Sequence, residues 1–429
     1  MGNTRWFTVR LLTKLDENSS YSNILLDDAL NRSDFDKRDK KFISALFYGV
    51  LERQLTLDAI IADLSKNPKN KLNHTLRNIL RSGLYQLKYM DSVPDNAAVD
   101  ESVELAKKCR NPAAPAFTNG LLREFIRRDK ALPAVGNETA RLSLEYSCPQ
   151  WLVEKWLNEY GKERCISLLK TSIGQAPTTV RINSLTGTIE DTLDMLLAEK
   201  MTFERSKYSE YAVNVANAGS IEKTKAFAEG RFHVQDLASQ LCCKALDPQP
   251  GDTVLDLCSA PGGKAFTIAQ MMGNEGTVLA FDLHPNRVKL IRSGAKRLGL
   301  TCIKAEVNNA KEFNSELPMA DRVLVDAPCS GLGVIRRKPE IKYKDPAEFG
   351  RLPEVQYDIL DTSSRYVKTG GLMVYSTCTV SKAENDEVVA RFLEEHEDFM
   401  PDGDDYMQTI TPDMYGSDGF FFAKLRKRR

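Results

Sequence analysis

The sequence predicts a multidomain protein: an all-α N-terminal domain, a small α/β module, and a C-terminal α/β domain built on a doubly wound, mainly parallel sheet. Three observations carry this expectation. The chain has 429 residues, more than one ordinary domain holds. Leucines and isoleucines recur at three- and four-residue spacings through about the first 130 positions, with no strand signal among them. From about residue 230, short apolar runs alternate with turns and helical stretches, the pattern of parallel strands covered on both faces. The expected domains are 1–135, 140–228 and 229–429.

Taken in order, Asp58–Leu64 and Leu76–Leu80 show the helical spacing most clearly. Pro94 breaks one helix, Ala97–Lys108 carries the next, Asn111–Pro115 reads as a loop, and Phe117–Arg128 as a further helix. In the module, helical stretches at Pro149–Tyr160 and Lys162–Ser172 precede a strand at Thr178–Ile182. A helix at about 188–199 and a strand at Tyr211–Val215 follow. The C-terminal strands are Thr253–Leu257, Thr277–Phe281, Arg322–Asp326 and Leu372–Ser376. No internal repeat and no low-complexity linker is visible.

Composition narrows the class. Hydrophobic residues make up 42% and charged residues 28%, which suits a globular protein and argues against disorder. No apolar run approaches the roughly 20 residues of a membrane span, and the N-terminus has no signal-peptide core. Nine cysteines without a C-x-x-C pair argue against a disulfide framework or a zinc cluster, so a reducing cytoplasm and no metal are expected. The net charge is zero, but residues 1–130 carry 22 Lys/Arg against 17 Asp/Glu, and Lys424–Arg429 form a basic tail. That gradient permits a nucleic-acid partner and equally suits a solvated surface.

Asp256–Lys264, DLCSAPGGK, lies between a strand and a helix. Gly262 and Gly263 let the backbone approach a ligand, Ser259, Ala260 and Pro261 shape the turn, and the helix N-terminus suits a carboxylate. Asp282 ends the next strand, where an acidic side chain grips ribose hydroxyls in a nucleotide-type fold. A purely structural glycine turn is the competing reading of the loop alone. Ala265 follows Gly-Lys where a P-loop needs Ser or Thr, and there is no G-x-G-x-x-G, which argues against a nicotinamide enzyme.

Two cysteines stand just past strand ends: Cys329 in Asp326–Gly331, DAPCSG, and Cys378 in Ser376–Thr379, STCT. That edge is where open α/β sheets bind ligands, so the two could face one pocket. A thiolate adding to an electron-poor ring would split a prohibitive substitution into easier steps, and Asp326 is placed to hydrogen-bond such a ring. A lone cysteine is ordinarily a small buried residue. Cys109, Cys148, Cys165, Cys242, Cys243 and Cys302 read that way, as does the side chain of Cys258 inside the turn. No histidine adjoins a candidate nucleophile in a recognisable motif, although spacing alone does not dismiss His233. Ser381–Glu384 reads as a capping box that starts a helix and steadies the Cys378 loop.

LDLCSAPGGK, DAPCSG and STCT together resemble the RNA 5-methylcytosine methyltransferases with two active-site cysteines. Further matches are Arg181–Asn183, Gln235–Asp236 with Ser239, Glu384–Asn385 and Asp418–Phe421. The resemblance covers nearly the whole chain. It implies a NusB-like RNA-binding N-terminal domain, chiefly on Leu80–Leu87 and Phe117–Arg123, then an RRM-like module and a Rossmann-like class I methyltransferase domain. It implies S-adenosyl-L-methionine as cofactor, held by Cys258, Ser259, Ala260, Pro261, Gly262, Gly263, Lys264, Asp282, Arg287, Asn309 and Asp326. Cys378 becomes the nucleophile, with Cys329 assisting proton removal and release. DNA methyltransferases use the P-C cysteine as nucleophile, so both motifs together favour RNA and not DNA.

The domain arrangement resembles the Fmu/Sun type, which implies one cytosine of 16S ribosomal RNA, cytosine 967, in naked RNA or an early small subunit. A transfer-RNA enzyme of the same chemistry, or a non-catalytic RNA-binding factor on this scaffold, are the alternatives. One departure is Asn309, where the family has an acidic residue reaching adenine; its carbonyl can still accept that hydrogen bond. A target cytosine must be in a loop or flipped out, and Arg336, Arg337 and Lys338 are expected to hold its flanking phosphates.

Overall fold

A computed structural model of the chain describes residues 3–18, 22–65, 72–216 and 221–428. Expectations touching the remaining positions, Arg429 of the basic tail among them, lie outside the described residues. The chain divides into two compact units: Met1–Gly174 with Ile335–Lys344, and Gln175–Val334 with Asp345–Arg429.

The first unit is helical. Its longer helices include Thr4–Asn18, Lys37–Glu52, Gln54–Leu64, His74–Tyr89, Asp95–Ala106, Ala114–Arg127, Glu138–Tyr146 and Gln150–Thr171. The helix His74–Tyr89 sits at its centre, and it is helical for local reasons. Asn73 caps it by accepting from Leu76 N, and Leu76, Ile79, Leu80, Leu84 and Leu87 form its buried face. Gly83 lets a neighbour approach, because a Cβ there would meet Ser102 Oγ at 2.7 Å. Arg81 is buried and forms a two-pronged pair with Asp58 at 2.7 and 2.6 Å. The Leu80–Leu87 motif therefore reads as packing. Pro115, expected in a loop, lies in the first turn of Ala114–Arg127, where a missing N–H costs nothing. The stretches split at Lys162 in the sequence form Gln150–Thr171, interrupted at Gly161 with φ 75°. By their contacts this helix and Glu138–Tyr146 lie in the first unit.

The second unit holds two sheets. The strands β1 (Thr178–Ile182), β2 (Thr202–Arg205), β3 (Ala212–Ala216) and β4 (Phe232–Val234) form an antiparallel sheet in the order β2-β3-β1-β4. Val180, Ile182, Val213, Val215 and Phe232 make its core with Leu193 and Leu196 of the helix Ile189–Ala198.

The larger sheet contains β5 (Thr253–Asp256), β6 (Thr277–Asp282), β7 (Ile303–Val307), β8 (Ala320–Asp326), β9 (Val367–Thr377), β10 (Phe399–Pro401), β11 (Met407–Ile410) and β12 (Phe420–Lys427). Its order is β10-β12-β9-β8-β5-β6-β7, with β11 also on β12; β7-β6-β5-β8-β9 are parallel, and β12 runs antiparallel to β9. This is the Rossmann-like architecture expected. Chain order reverses between β5 and β8, and a crevice opens at the carboxyl ends of strands beside such a reversal. Two apolar clusters are built on the sheet, one around Val254, Ile268 and Leu324, the other around Leu255, Val325 and Tyr375. Adjacent residues of one strand enter different clusters because side chains alternate. Among the described residues no helix is long and apolar enough to cross a membrane.

Candidate active site

Four strand ends build the site: Asp256 closes β5, Asp282 closes β6, Asp326 closes β8, and Cys378 follows β9. The parallel register aligns Asp326 with Ser376 and Asp256 with Leu324, which brings these ends to one edge.

The two cysteines meet there, with Cys329 Sγ 3.2 Å from Cys378 Sγ. Both are half-buried and neither is in a disulfide. The hydrogen bond to Cys378, then burial, pushes the Cys329 thiol well above the usual range. Asp326 receives Lys264 Nζ on one oxygen at 2.6 Å and Ser376 Oγ on the other at 2.9 Å. Burial works against the Lys264 ammonium, but the Asp326 charge outweighs it and holds Lys264 protonated.

The loops carrying the sulfurs are tied by a buried network that the local sequence pattern does not show. Glu384 does not complete a capping box. Ser381 makes no side-chain cap bond, and the helix begins only at Asp386. The Glu384 carboxylate instead accepts Ser330 Oγ at 2.6 Å, Ser330 N at 2.8 Å and Gln356 Nε2 at 3.0 Å, holding the Cys329 loop. The Cys378 loop is held by Asn385, whose side chain accepts from Thr377 Oγ1 at 2.6 Å and donates to Thr379 O at 3.0 Å. Ser330 and Thr379 hydroxyls join the loops at 2.9 Å. The helical pattern hid this role, because a Glu three residues after a Ser reads locally as a cap.

At the other end of the edge, Gly262 caps the helix Gly263–Met271 with φ 111°, and the Ala260–Pro261 bond is cis. A Cβ at Gly262 would strike the Phe266 ring at 2.4 Å, so this glycine serves packing as well as its turn. Cys258 lies within the turn with its thiol pushed up by burial. Asp282 accepts His284 N at 2.9 Å and pairs with Arg287 at 3.2 Å. Asn309 follows β7; its carbonyl accepts Lys311 N at 3.2 Å and its amide donates to Glu312 at 2.7 Å. Arg336, Arg337 and Lys338 are half-buried and sit at the start of the segment that belongs with the helical unit. His233 is buried, bonded to Thr267 Oγ1 at 3.3 Å, and burial drives its pKa down to about 3, so it is a neutral core residue. Arg181 and Asn183 are structural too: Arg181 donates to Gln270, and Asn183 to the carbonyls of Gly230 and Leu298.

Residues 243–426 match the family described as 16S rRNA methyltransferase RsmB/F. Residues 2–127 match the NusB family, and 148–222 the ferredoxin-like domain of RsmF/B-like methyltransferases. The chain is 38% identical to the probable ribosomal RNA small subunit methyltransferase B of Bacillus subtilis, over 99% of this chain and 98% of that one. The chain belongs to the ribosomal RNA small subunit methyltransferase B family. A Synechocystis member with the same printed name is 34% identical over the full length of both. The solved structure of PH0851 superposes with a TM-score of 0.83 at 25% identity, covering 100% of this chain and 99% of that one.

As a member of the methyltransferase B family, the chain is an enzyme of the methyltransferase class, and its strand-end edge fits S-adenosylmethionine. Asp256 and Ser259 Oγ are buried without a hydrogen-bond partner among the described residues, and so is the amide nitrogen of Asn308. Unpaired polar atoms in that position are costly unless a polar ligand meets them. No sequence motif marks Asn308. It differs from its neighbour Asn309 only in what the fold leaves unpaired.

Proposed function

We propose that this S-adenosylmethionine-dependent RNA methyltransferase methylates carbon 5 of one cytosine in 16S ribosomal RNA, cytosine 967, through a covalent bond from Cys378 Sγ to carbon 6. The observation that carries this reading is the pair of sulfurs 3.2 Å apart at the strand-end edge. The ribosomal target is supported by the printed names of the full-length relatives. The proposed domains are 1–135, 140–228 and 229–429, acting in the cytoplasm on naked RNA or an early small subunit, without DNA, membrane or metal.

When bound, S-adenosylmethionine supplies an electrophilic methyl group. Gly262, Gly263 and Lys264, with Cys258, Ser259, Ala260 and Pro261 before them, would hold its amino-acid end. Asp282 and Arg287 would hold its ribose, and Asn309 its adenine. Cys378 adds to carbon 6 and makes carbon 5 enamine-like and nucleophilic. Asp326, fixed by Lys264 and Ser376, hydrogen-bonds the ring and steadies the charge that develops on it. After methylation, Cys329 assists loss of the carbon 5 proton, and the carbon–sulfur bond breaks to free Cys378. Arg336, Arg337 and Lys338 contact the flanking phosphates.

The test is transfer of labelled methyl from S-adenosylmethionine to unmodified 16S RNA, with mapping of the modified base. One 5-methylcytosine at position 967, lost in Cys378→Ala by at least roughly 10⁴-fold with folding retained, is expected. Label in transfer RNA alone would overturn the target, and label in neither RNA would overturn the catalytic reading.

A further inference from the structure

A cavity of about 120 Å³ lies in the second unit where the antiparallel sheet meets the segment before β12. Its lining includes Asn214, Arg205, Lys207, Tyr208, Tyr415 and Ser417. Nothing in the methyl-transfer chemistry uses it. A cavity near 150 Å³ accepts a benzene ring, so this one is on the scale of a single planar ring.

The lining has the chemistry of a nucleotide. Tyr208 and Tyr415 meet edge to face with ring centroids 4.5 Å apart, and Tyr208 is 48% exposed, leaving ring surface for stacking. Arg205, paired with Glu190 at 2.8 Å, and exposed Lys207 supply positive charge, and Glu204 is the one acid among the lining residues. On the wall, Asn214 Oδ1 accepts Thr179 Oγ1 at 2.8 Å, which orients the amide and turns its N–H groups away from Thr179. An aromatic platform beside basic side chains and a fixed amide is how proteins take one unstacked base and its phosphate.

The placement says which nucleotide. Ser417 is two residues from Gly419, within about 7 Å along the chain. Gly419 N donates to Gly333 O at 2.8 Å, and Gly333 N donates to Cys378 O at 3.1 Å. The wall of the cavity thus continues directly into the backbone that holds the nucleophile loop. We propose that this cavity, with Tyr208 and Lys207 at its mouth, binds one base and phosphate of the RNA strand immediately flanking the target cytosine. This rests on the RNA-methylating reading above.

The full-length protein is titrated with a 16S RNA fragment that carries the target, and with the same fragment made abasic at each flanking position in turn. Tyr208→Ala is expected to weaken binding about tenfold, Tyr208→Phe to restore it, and Lys207→Gln to lower the salt slope by about one. At one flanking position, loss of the base should weaken wild type as much as Tyr208→Ala does, with no further loss when both are combined. Wild-type affinity in Tyr208→Ala and Lys207→Gln, with methylation intact, would overturn the subsite alone. Losses that simply add at every position would do the same. Absence of both RNA binding and methylation in the wild type would overturn the parent reading and the subsite together.

Discussion

Cys329 and Cys378 are held sulfur to sulfur, and that bond together with burial raises the Cys329 thiol. If Cys329 assists release, Cys329→Ala will leave the enzyme joined to its RNA. A band surviving a denaturing gel is the expected result; no such band in a variant that still binds cofactor would refute the division of roles. Asp256 poses a different problem, since burial first, with the nearby Asp326 charge, raises its carboxyl to about 7. The unfolded value is near 3.9, so between about pH 4 and 7 the folded chain binds the extra proton and stability falls as pH rises. The whole shift corresponds to up to roughly 4 kcal/mol. Asp256→Asn should flatten that slope, read by urea unfolding of the cofactor-free protein at pH 5 and pH 8; an unchanged slope would sink the assignment. The motif letters placed Asp256, Asp282, Asp326 and both cysteines at strand ends. They said nothing of Asn308, whose unpaired amide depends on which groups the fold brings beside it.

Between elements, the decisive contact is a crossing of two glycines. Gly333 and Gly419 pass so closely that a Cβ on Gly333 would lie 2.0 Å from Gly419 O, with Cys378 O also at 2.8 Å. The glycine of Asp418–Phe421 is required by the approach of another backbone, which no local pattern announces. Gly333→Ala must push this crossing apart. We expect loss of roughly 1–3 kcal/mol in stability together with reduced methyl transfer, measured by denaturant unfolding and the same labelled-methyl assay; wild-type values in both would remove Gly333 from the site's framework. The helix ends show the same division. Thr188 and Asp191 form a true reciprocal cap at Ile189–Ala198, whereas Ser381 and Glu384 have the spacing without the bonds. The carboxylate of Glu384 is better satisfied by three donors from Ser330 and Gln356 than by one backbone amide.

At the scale of the whole molecule, the helical unit is not continuous in sequence. Ile335–Lys344 belongs to it, and the attachment is specific: buried Lys342 donates to Glu52 O at 2.8 Å, Tyr343 to the same carbonyl at 3.0 Å, and Ser22 Oγ to Glu340 at 2.9 Å. A fragment of residues 1–174 should therefore melt below its complex with an added 335–344 peptide, by a few degrees; identical melting curves would show the segment contributes nothing. The sequence by itself determined the order of the domains, the helical and parallel-strand classes, and the strand-end positions of the chemical groups. Those follow from periodicity, turn residues and motifs, all of which act over a few neighbouring positions. Only the tertiary structure decided that the two sulfurs meet, that Glu384 braces the Cys329 loop, that Gly333 and Gly419 cross, and that a segment past Cys329 joins the N-terminal helices. Each of these joins residues between 49 and more than 300 positions apart, where packing and the pairing of buried polar groups, not local propensity, select the partner.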